Sequence, residues 1–276
     1  MTEAGVEFAG VSYALAGAAG GRVLLRGIDL KLEAGTTTAL LGRSGSGKTT
    51  LLRMVNGLVR PTSGRVLVGG RDVATEDSIG LRRGIGYVIQ ETGLFPHMTV
   101  ERNAGMALEL AKGSEEQRGT AKSSENRGNS RSPSGMTTKK ERVGEVLGLV
   151  GMDAAEFRGR YPWQLSGGQR QRVGLARALA ADPNVLLMDE PFGALDPMTR
   201  AEMQTMLHGL LERVGKTVLL VTHDLDEAIY LAGSDGGRVV FLEAGEVVAD
   251  LAAGEVLGSQ NAHVREYVRA VRRSSG

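Results

Sequence analysis

Lys48 and Thr49 close the stretch GRSGSGKTT, Gly42 to Thr50, which fits the spacing G-x-x-x-x-G-K-[ST] and follows the apolar run TTTALL. Glycines so spaced let backbone N–H groups turn inward around phosphate oxygens, and a helix starting there adds the partial positive charge of its N-terminus. In this reading Gly42, Arg43, Ser44, Gly45, Ser46 and Gly47 form the cradle. Lys48 reaches the β and γ phosphates of a nucleoside triphosphate, the Thr49 hydroxyl ligates Mg²⁺, and Thr50 adds a hydrogen bond. A chain with 40 glycines also makes plain flexible bends, so the loop has to be weighed with the rest of the sequence.

Four further groups bear on it. VLLMDE is an apolar run ending in two carboxylates. On a buried strand it delivers Asp189 and Glu190 to the sheet edge where α/β proteins bind ligands. Asp189 is then a partner for Mg²⁺, and Glu190 a general base for water, work worth roughly 10²–10⁴ in rate. His223, after VLLV, reaches the same edge and can bond the γ phosphate and orient that water; alone it would read more readily as a structural histidine, and its place at the edge shared with Asp189 changes that. Gln90 ends a strand too, its amide free to meet Mg²⁺ or water. LSGGQ, Leu165 to Gln169, opens a helix at Ser166; it reads as a simple serine cap or as a second anion-binding helix start. It lies far along the chain from the first loop, and one use for it is to close over a nucleotide held by a second copy of the protein.

The elements that must position these groups follow from periodicity and turn residues. VEFAGVSYAL and RVLLRGIDLKLEAG read as β segments, TTTALL as a strand, and KTTLLRMVNGL as a helix with Leu51, Leu52 and Val55 on one face. PTSGRVLVGGRDV and RRGIGYVIQ are further strands. NVLLMDE and KTVLLVTHD are short continuous apolar runs, suited to parallel strands buried on both faces. Residues from about 91 to 165 lose the strand–helix alternation and read as a helical subdomain, with helical pieces around 99–112 and 139–151. Within it, 113–138 is almost devoid of apolar residues, so it cannot offset its ordering entropy and reads as a disordered insertion. RVVFLEAGEVVAD reads as a hairpin around Glu243 to Glu246, with a short helix closing the segment 238–276. The fold class is α/β, a single domain over 1–276.

Composition narrows the function. With 33 Lys and Arg against 32 Asp and Glu, there is no broad basic field to attract nucleic acid. Without cysteine there is no disulfide, thiolate nucleophile or cysteine-based zinc site. The N-terminus has no basic segment leading into an apolar core, and no run approaches the roughly 20 apolar residues of a membrane span. The expected location is the cytoplasm, with any membrane contact made through a partner.

GRSGSGKTT, Gln90, LSGGQ, VLLMDE, GALD and the Thr222–His223 pair, in that chain order, resemble the ATP-binding subunit of ABC transporters over nearly the whole chain. The resemblance implies a P-loop NTPase fold with an N-terminal antiparallel β subdomain and an inserted α-helical subdomain. Two copies would form a head-to-tail dimer with two ATP molecules between them. It assigns Gly42 to Thr50 to the Walker A loop, Gln90 to the Q-loop, and Asp189 and Glu190 to Walker B. Ser166 and Gly168, flanked by Gly167 and Gln169, become contacts to the facing subunit's nucleotide. Asp196 falls in the D-loop, His223 becomes the switch histidine, and Tyr13 sits where an aromatic stacks on adenine, although it also reads as a strand residue packing on the β lobe.

Longer stretches, RRGIGYVIQETGLFPHMTVERN and YPWQLSGGQRQRVGLARALAADPNVLLMDEPFGALDPMTR, resemble the importers of glycine betaine, choline, carnitine and related quaternary amines. The partners so implied are integral membrane permease subunits, which hold the ATPase on the inner face of the cell membrane, and indirectly an extracytoplasmic solute-binding protein. Two departures from that group are expected: the paired regulatory CBS domains that its members often carry are not read within residues 1–276, and LAGSDGGRVV carries extra residues after the His223 helix. Other readings are an importer ATPase for another small solute, an ABC-type factor in repair or translation, a P-loop kinase or GTPase, and a module that binds ATP without cleaving it. Single copies of each motif and a near-zero net charge count against the repair or translation factor, and LSGGQ against the kinase.

Overall fold

The computed structural model describes residues 4–15, 22–109, 138–233 and 236–274. Two compact units emerge, one formed by Met1–Glu91 with Asn184–Gly276 and the other by Thr92–Pro183. The second unit thus extends past the boundary near 165 expected for the helical subdomain and takes in the helix opened by Ser166.

The strands are β1 (Ala4–Leu15), β2 (Arg22–Glu33), β3 (Thr37–Leu41), β4 (Ser63–Val68), β5 (Arg71–Asp72), β6 (Ile85–Val88), β7 (Val185–Asp189), β8 (Thr217–Thr222), β9 (Arg238–Glu243) and β10 (Glu246–Ala252). The helices are α1 (Lys48–Val55), α2 (Ser78–Arg83), α3 (Val100–Ala104), α4 (Lys139–Leu149), α5 (Ala154–Phe157), α6 (Gly167–Leu179), α7 (Pro197–Val214), α8 (Leu225–Ala232) and α9 (Ala262–Ser274).

The first unit holds both sheets. One is antiparallel with order β2-β1-β4-β5, and the other runs β10-β9-β3-β8-β7-β6. In the second sheet β9, β3, β8, β7 and β6 are parallel and β10 is antiparallel. Every residue of β3, β7 and β8 is buried, as unbroken apolar runs require when both sheet faces are covered. Register then sets the site: Leu41 pairs with Thr222, Asp189 with Val221, and Val88 with Met188. The chain therefore leaves β3, β6, β7 and β8 at nearly one level, along one edge.

A single apolar cluster, including Phe8, Leu25, Leu32, Leu40, Leu51, Leu52, Leu187 and Val221, joins the two sheets to α1. Each such side chain contributes roughly 1.5–3 kcal/mol on burial, so α1 is anchored through its apolar face while its first turn faces the strand edge. The hairpin between β9 and β10 turns through Ala244 and Gly245, both at positive φ, as a two-residue connection requires. Beyond the extra residues 233–237, of which 234–235 lie outside the described residues, β9 takes up regular pairing on β3 from Thr38 with Arg238.

The second unit is helical. Its expected piece at 99–112 appears as α3 and a helical turn at 106–109, with 110–112 outside the described residues; the piece at 139–151 appears as α4. Of the insertion expected at 113–138, residues 113–137 lie outside the described residues. Thr138 belongs to α4: its hydroxyl accepts from the Glu141 amide and the Glu141 carboxylate accepts from the Thr138 amide, a reciprocal cap that satisfies two helix-end donors. Arg142 fastens α4 to the end of α6 by donating to the Leu179 and Ala180 carbonyls. Arg177 donates to the Thr92 and Gly93 carbonyls at 2.8 Å each. Among the described residues, no helix is long and apolar enough to cross a membrane.

Candidate functional site

The loop Gly42–Gly47 leaves β3 and enters α1. A Cβ on Gly42 would stand 2.2 Å from the Leu242 carbonyl oxygen, and one on Gly47 would stand 2.5 Å from Leu25 Cδ2. Gly47 also has φ near 106° and caps α1 with no side-chain acceptor, so the first-turn amides have no side-chain cap to claim them. Lys48 is 5% exposed and bends back across the loop, its Nζ donating to the Gly42 and Arg43 carbonyls at 2.7 and 3.0 Å. Burial lowers its pKa, opposed by the carboxylates of Glu190 and Asp189. The Ser46 hydroxyl is buried with no hydrogen-bond partner among the described residues. A buried ammonium, an orphaned hydroxyl and an uncapped helix start are what a phosphate group would satisfy.

Thr49, one residue into α1, donates its hydroxyl to Asp189 Oδ1 at 2.8 Å. Asp189 is buried and its other oxygen meets the Tyr87 hydroxyl at 3.5 Å and Arg53 Nη2 at 3.8 Å. Burial pushes the Tyr87 hydroxyl's pKa up. Tyr87 and Arg53 escaped the reading of the sequence. Arg53 stands one turn after Thr49 on the same helix, and Tyr87 occupies β6 beside β7; both signals are visible only once Asp189 has been placed. Oxygen donors from a threonine and a carboxylate, with the Gln90 amide oxygen available nearby, make a donor set chemically suited to Mg²⁺.

Glu190 follows with φ near 46°, a conformation that costs a non-glycine residue about 1–3 kcal/mol and clusters at functional sites. Its amide continues the ladder to the Val221 carbonyl at 2.9 Å, and its carbonyl accepts from Gly193 at 3.2 Å. Thus held, Glu190 Oε2 lies 3.4 Å from Gln90 Nε2 and 3.4 Å from His223 Nδ1. A Cβ on Gly193 would come within 3.3 Å of the same Gln90 nitrogen. Two side chains, from the ends of β6 and β8, therefore converge on one carboxylate oxygen at the end of β7, next to the Thr49–Asp189 pair and Lys48.

The other predicted residues are not part of these contacts. Ser166, Gly167, Gly168 and Gln169 belong to the second unit. There Ser166 Oγ accepts from the Gln169 amide at 3.2 Å and Gln169 Oε1 accepts from the Ser166 amide at 2.9 Å, so both side chains are engaged in capping α6. Asp196 caps α7 through the Thr199 amide at 3.0 Å, and that bond holds its carboxyl below the usual range. Tyr13 is partly buried against the apolar core; it pairs with Leu25, the residue that abuts Gly47.

A buried parallel sheet with a glycine-rich phosphate loop and two acidic residues along its ligand edge, accompanied by a helical unit bearing SGGQ, defines a P-loop NTPase of the ATP-binding cassette type. The chain belongs to the ABC transporter family, whose sequence pattern it matches over residues 25–193. It is 44% identical over 250 residues to the glycine betaine/carnitine/choline transport ATP-binding protein OpuCA of Bacillus subtilis, an alignment covering 90% of this chain and 59% of that relative. Over 243 residues it is 41% identical to the glycine betaine uptake system ATP-binding protein YehX of Escherichia coli, covering 88% of this chain and 69% of YehX. The fold superposes with a TM-score of 0.70 and 30% identity on the cassette MJ0796, a dimer in a post-hydrolysis state bound to ADP and Pi, covering 90% of this chain and 98% of that one.

Proposed function

We infer that the chain is the ATP-hydrolysing subunit of a membrane importer for quaternary amine osmoprotectants such as glycine betaine, choline or carnitine. The observation that carries the ATPase reading is the meeting of Gln90, Glu190 and His223 beside the Thr49–Asp189 pair and the buried Lys48. The solute class rests on the names of the similar proteins, of which this chain spans 59% in the case of OpuCA.

Each residue's part follows from its chemistry. The loop amides, Lys48 and Ser46 bind the phosphates of ATP, and Thr50 adds a hydrogen bond. Thr49, Asp189 and Gln90 hold Mg²⁺, which when bound neutralises charge on the phosphate oxygens. Glu190 takes the proton of the attacking water, while His223 keeps the carboxylate and that water aligned. Ser166 and Gly168, flanked by Gly167 and Gln169, complete the site from a second copy, and Asp196 lies along the same facing surface. Tyr13 stacks on the adenine. The head-to-tail dimer docks on integral permease subunits at the inner face of the cell membrane, and a solute-binding protein acts through them. ATP binding closes the dimer and hydrolysis reopens it.

Reconstitution in liposomes with a permease for quaternary amines tests the whole reading. ATP-dependent accumulation of labelled glycine betaine is expected. Phosphate release coupled to a different solute would replace the solute class and keep the ATPase; a chain that binds ATP without releasing phosphate, with or without the permease, would overturn the enzyme.

A further inference from the structure

His223 is loosely held in the carboxylate cluster. Its side chain is 63% exposed, and its contact with Glu190 is long for a hydrogen bond. Little surrounds the ring, so its position follows from where the backbone of the Thr222–Asp224 turn is fixed. On one side the Asp224 amide donates to the Thr222 hydroxyl at 3.0 Å, and the Asp224 carboxylate caps α8 through the Glu227 amide at 3.0 Å. The carbonyl of His223 itself, which precedes the cap and lies outside the helix ladder, accepts from the hydroxyl of Tyr267 at 2.9 Å.

Tyr267 reaches that carbonyl from α9, 44 positions along the chain, and it is well braced. Its ring stands edge-on to Phe241, centroids 5.7 Å apart at 79°, and Phe241 is buried on β9 opposite Leu41, the residue before the phosphate loop. The start of α9 is pinned to the hairpin: Asn261 caps it by accepting from the His263 amide and donates to the Val248 carbonyl, while His263 Nδ1 meets Glu243 Oε2 at 2.8 Å. Val264 is fully buried beneath the helix. One residue before Tyr267, Glu266 pairs with Arg43 of the phosphate loop at 3.6 Å, both side chains largely exposed.

We propose that Tyr267 is a positioning residue for hydrolysis, its hydroxyl fixing the His223 carbonyl so that the imidazole stays on Glu190. This inference rests on the ATPase reading given above. It makes α9 part of the catalytic apparatus: whatever moves that helix moves His223, without touching nucleotide or metal. Small displacements of aligned groups have large kinetic effects, and the loss of one such bond changes an equilibrium by roughly two- to tenfold.

Tyr267→Phe in the full chain removes the hydroxyl and keeps the ring on Phe241. The expected result is a three- to tenfold fall in kcat with KM for MgATP and the melting temperature unchanged, and no further loss when the substitution is added to His223→Ala. Ring signals of the four histidines by NMR give a readout independent of turnover: the His223 signal, identified by its disappearance in His223→Ala, should shift while those of His97, His208 and His263 stay. Unchanged kcat with an unmoved His223 signal would overturn the proposal, as would an equal loss in both backgrounds, which would mark a merely structural role. If the wild-type chain releases no phosphate, the proposed function fails, and the His223 signal alone decides whether Tyr267 positions the turn.

Discussion

The Thr49 hydroxyl donates to Asp189 Oδ1 at 2.8 Å, joining two residues 140 positions apart in the chain. The bond ties the first turn of α1 to the end of β7, so the phosphate loop and the acidic strand end share one geometry. Replacing Asp189 with Asn keeps the shape but removes the charge that Mg²⁺ requires. Asp189→Asn should bind ATP in the absence of Mg²⁺ as the wild type does and gain little when Mg²⁺ is added. Titration with a fluorescent ATP analogue, with and without Mg²⁺, checks this; a wild-type Mg²⁺ response would remove Asp189 from the metal site.

Glu190 is assigned to proton removal, and Gln is close to it in shape. Glu190→Gln should retain ATP binding, lower kcat by at least roughly a hundredfold, and accumulate an ATP-bound dimer, since hydrolysis is what reopens the pair. Size-exclusion chromatography with ATP reads the dimer directly. Normal steady-state turnover in this variant would take the role away from Glu190.

Gly42 has no room for a side chain. A methyl group there would sit 2.2 Å from a backbone oxygen, that of Leu242, which cannot swing aside as a side chain can. Gly42→Ala should therefore push β3 and β9 apart at the loop and abolish nucleotide binding. Gly45, at positive φ with open space around it, makes the contrast: Gly45→Ala carries only the left-handed backbone penalty of about 1–2 kcal/mol. Thermal unfolding with and without ATP separates the two, Gly42→Ala losing the ATP-induced increase and Gly45→Ala keeping most of it.

These residues also show what the sequence could disclose. Gly42–Thr50, Asp189, Glu190 and His223 were legible because each follows an apolar run of a length that fits a buried strand, and parallel register brings such ends to one edge. Gln90 was legible for the same reason. The Thr138 cap was lost because a composition argument has no means of marking where a polar stretch hands over to a helix; Glu141, three residues on, was the available signal. The engagement of Ser166 with Gln169 follows from the same box. Arg53, Tyr87 and Tyr267 could not be found, because their meaning lies in a partner from a distant segment. A tyrosine on a terminal amphipathic helix reads as core packing until its hydroxyl is seen on the His223 carbonyl.

Glu227 carries a consequence for pH. It lies in α8, is 6% exposed, and its Oε1 has no hydrogen-bond partner among the described residues. Burial, reinforced by the nearby Asp224 carboxylate, raises its pKa from 4.5 to about 7, against the opposing effects of Thr222, Gln204 and Arg200. In the unfolded chain the carboxyl ionises near its ordinary value, so between the two values the folded state binds more protons than the unfolded one. Stability must then fall as pH rises through that window, and the full penalty is present above the folded value. A displacement of this size corresponds to about 3 kcal/mol. Glu227→Gln abolishes the titration: against the wild type it should be of similar stability near about pH 5 and gain on it steadily toward about pH 8. Urea unfolding of both proteins across that range measures the difference. A gap that stays constant with pH would mean that Glu227 is already ionised in the folded chain at low pH, with the Arg200 charge outweighing burial.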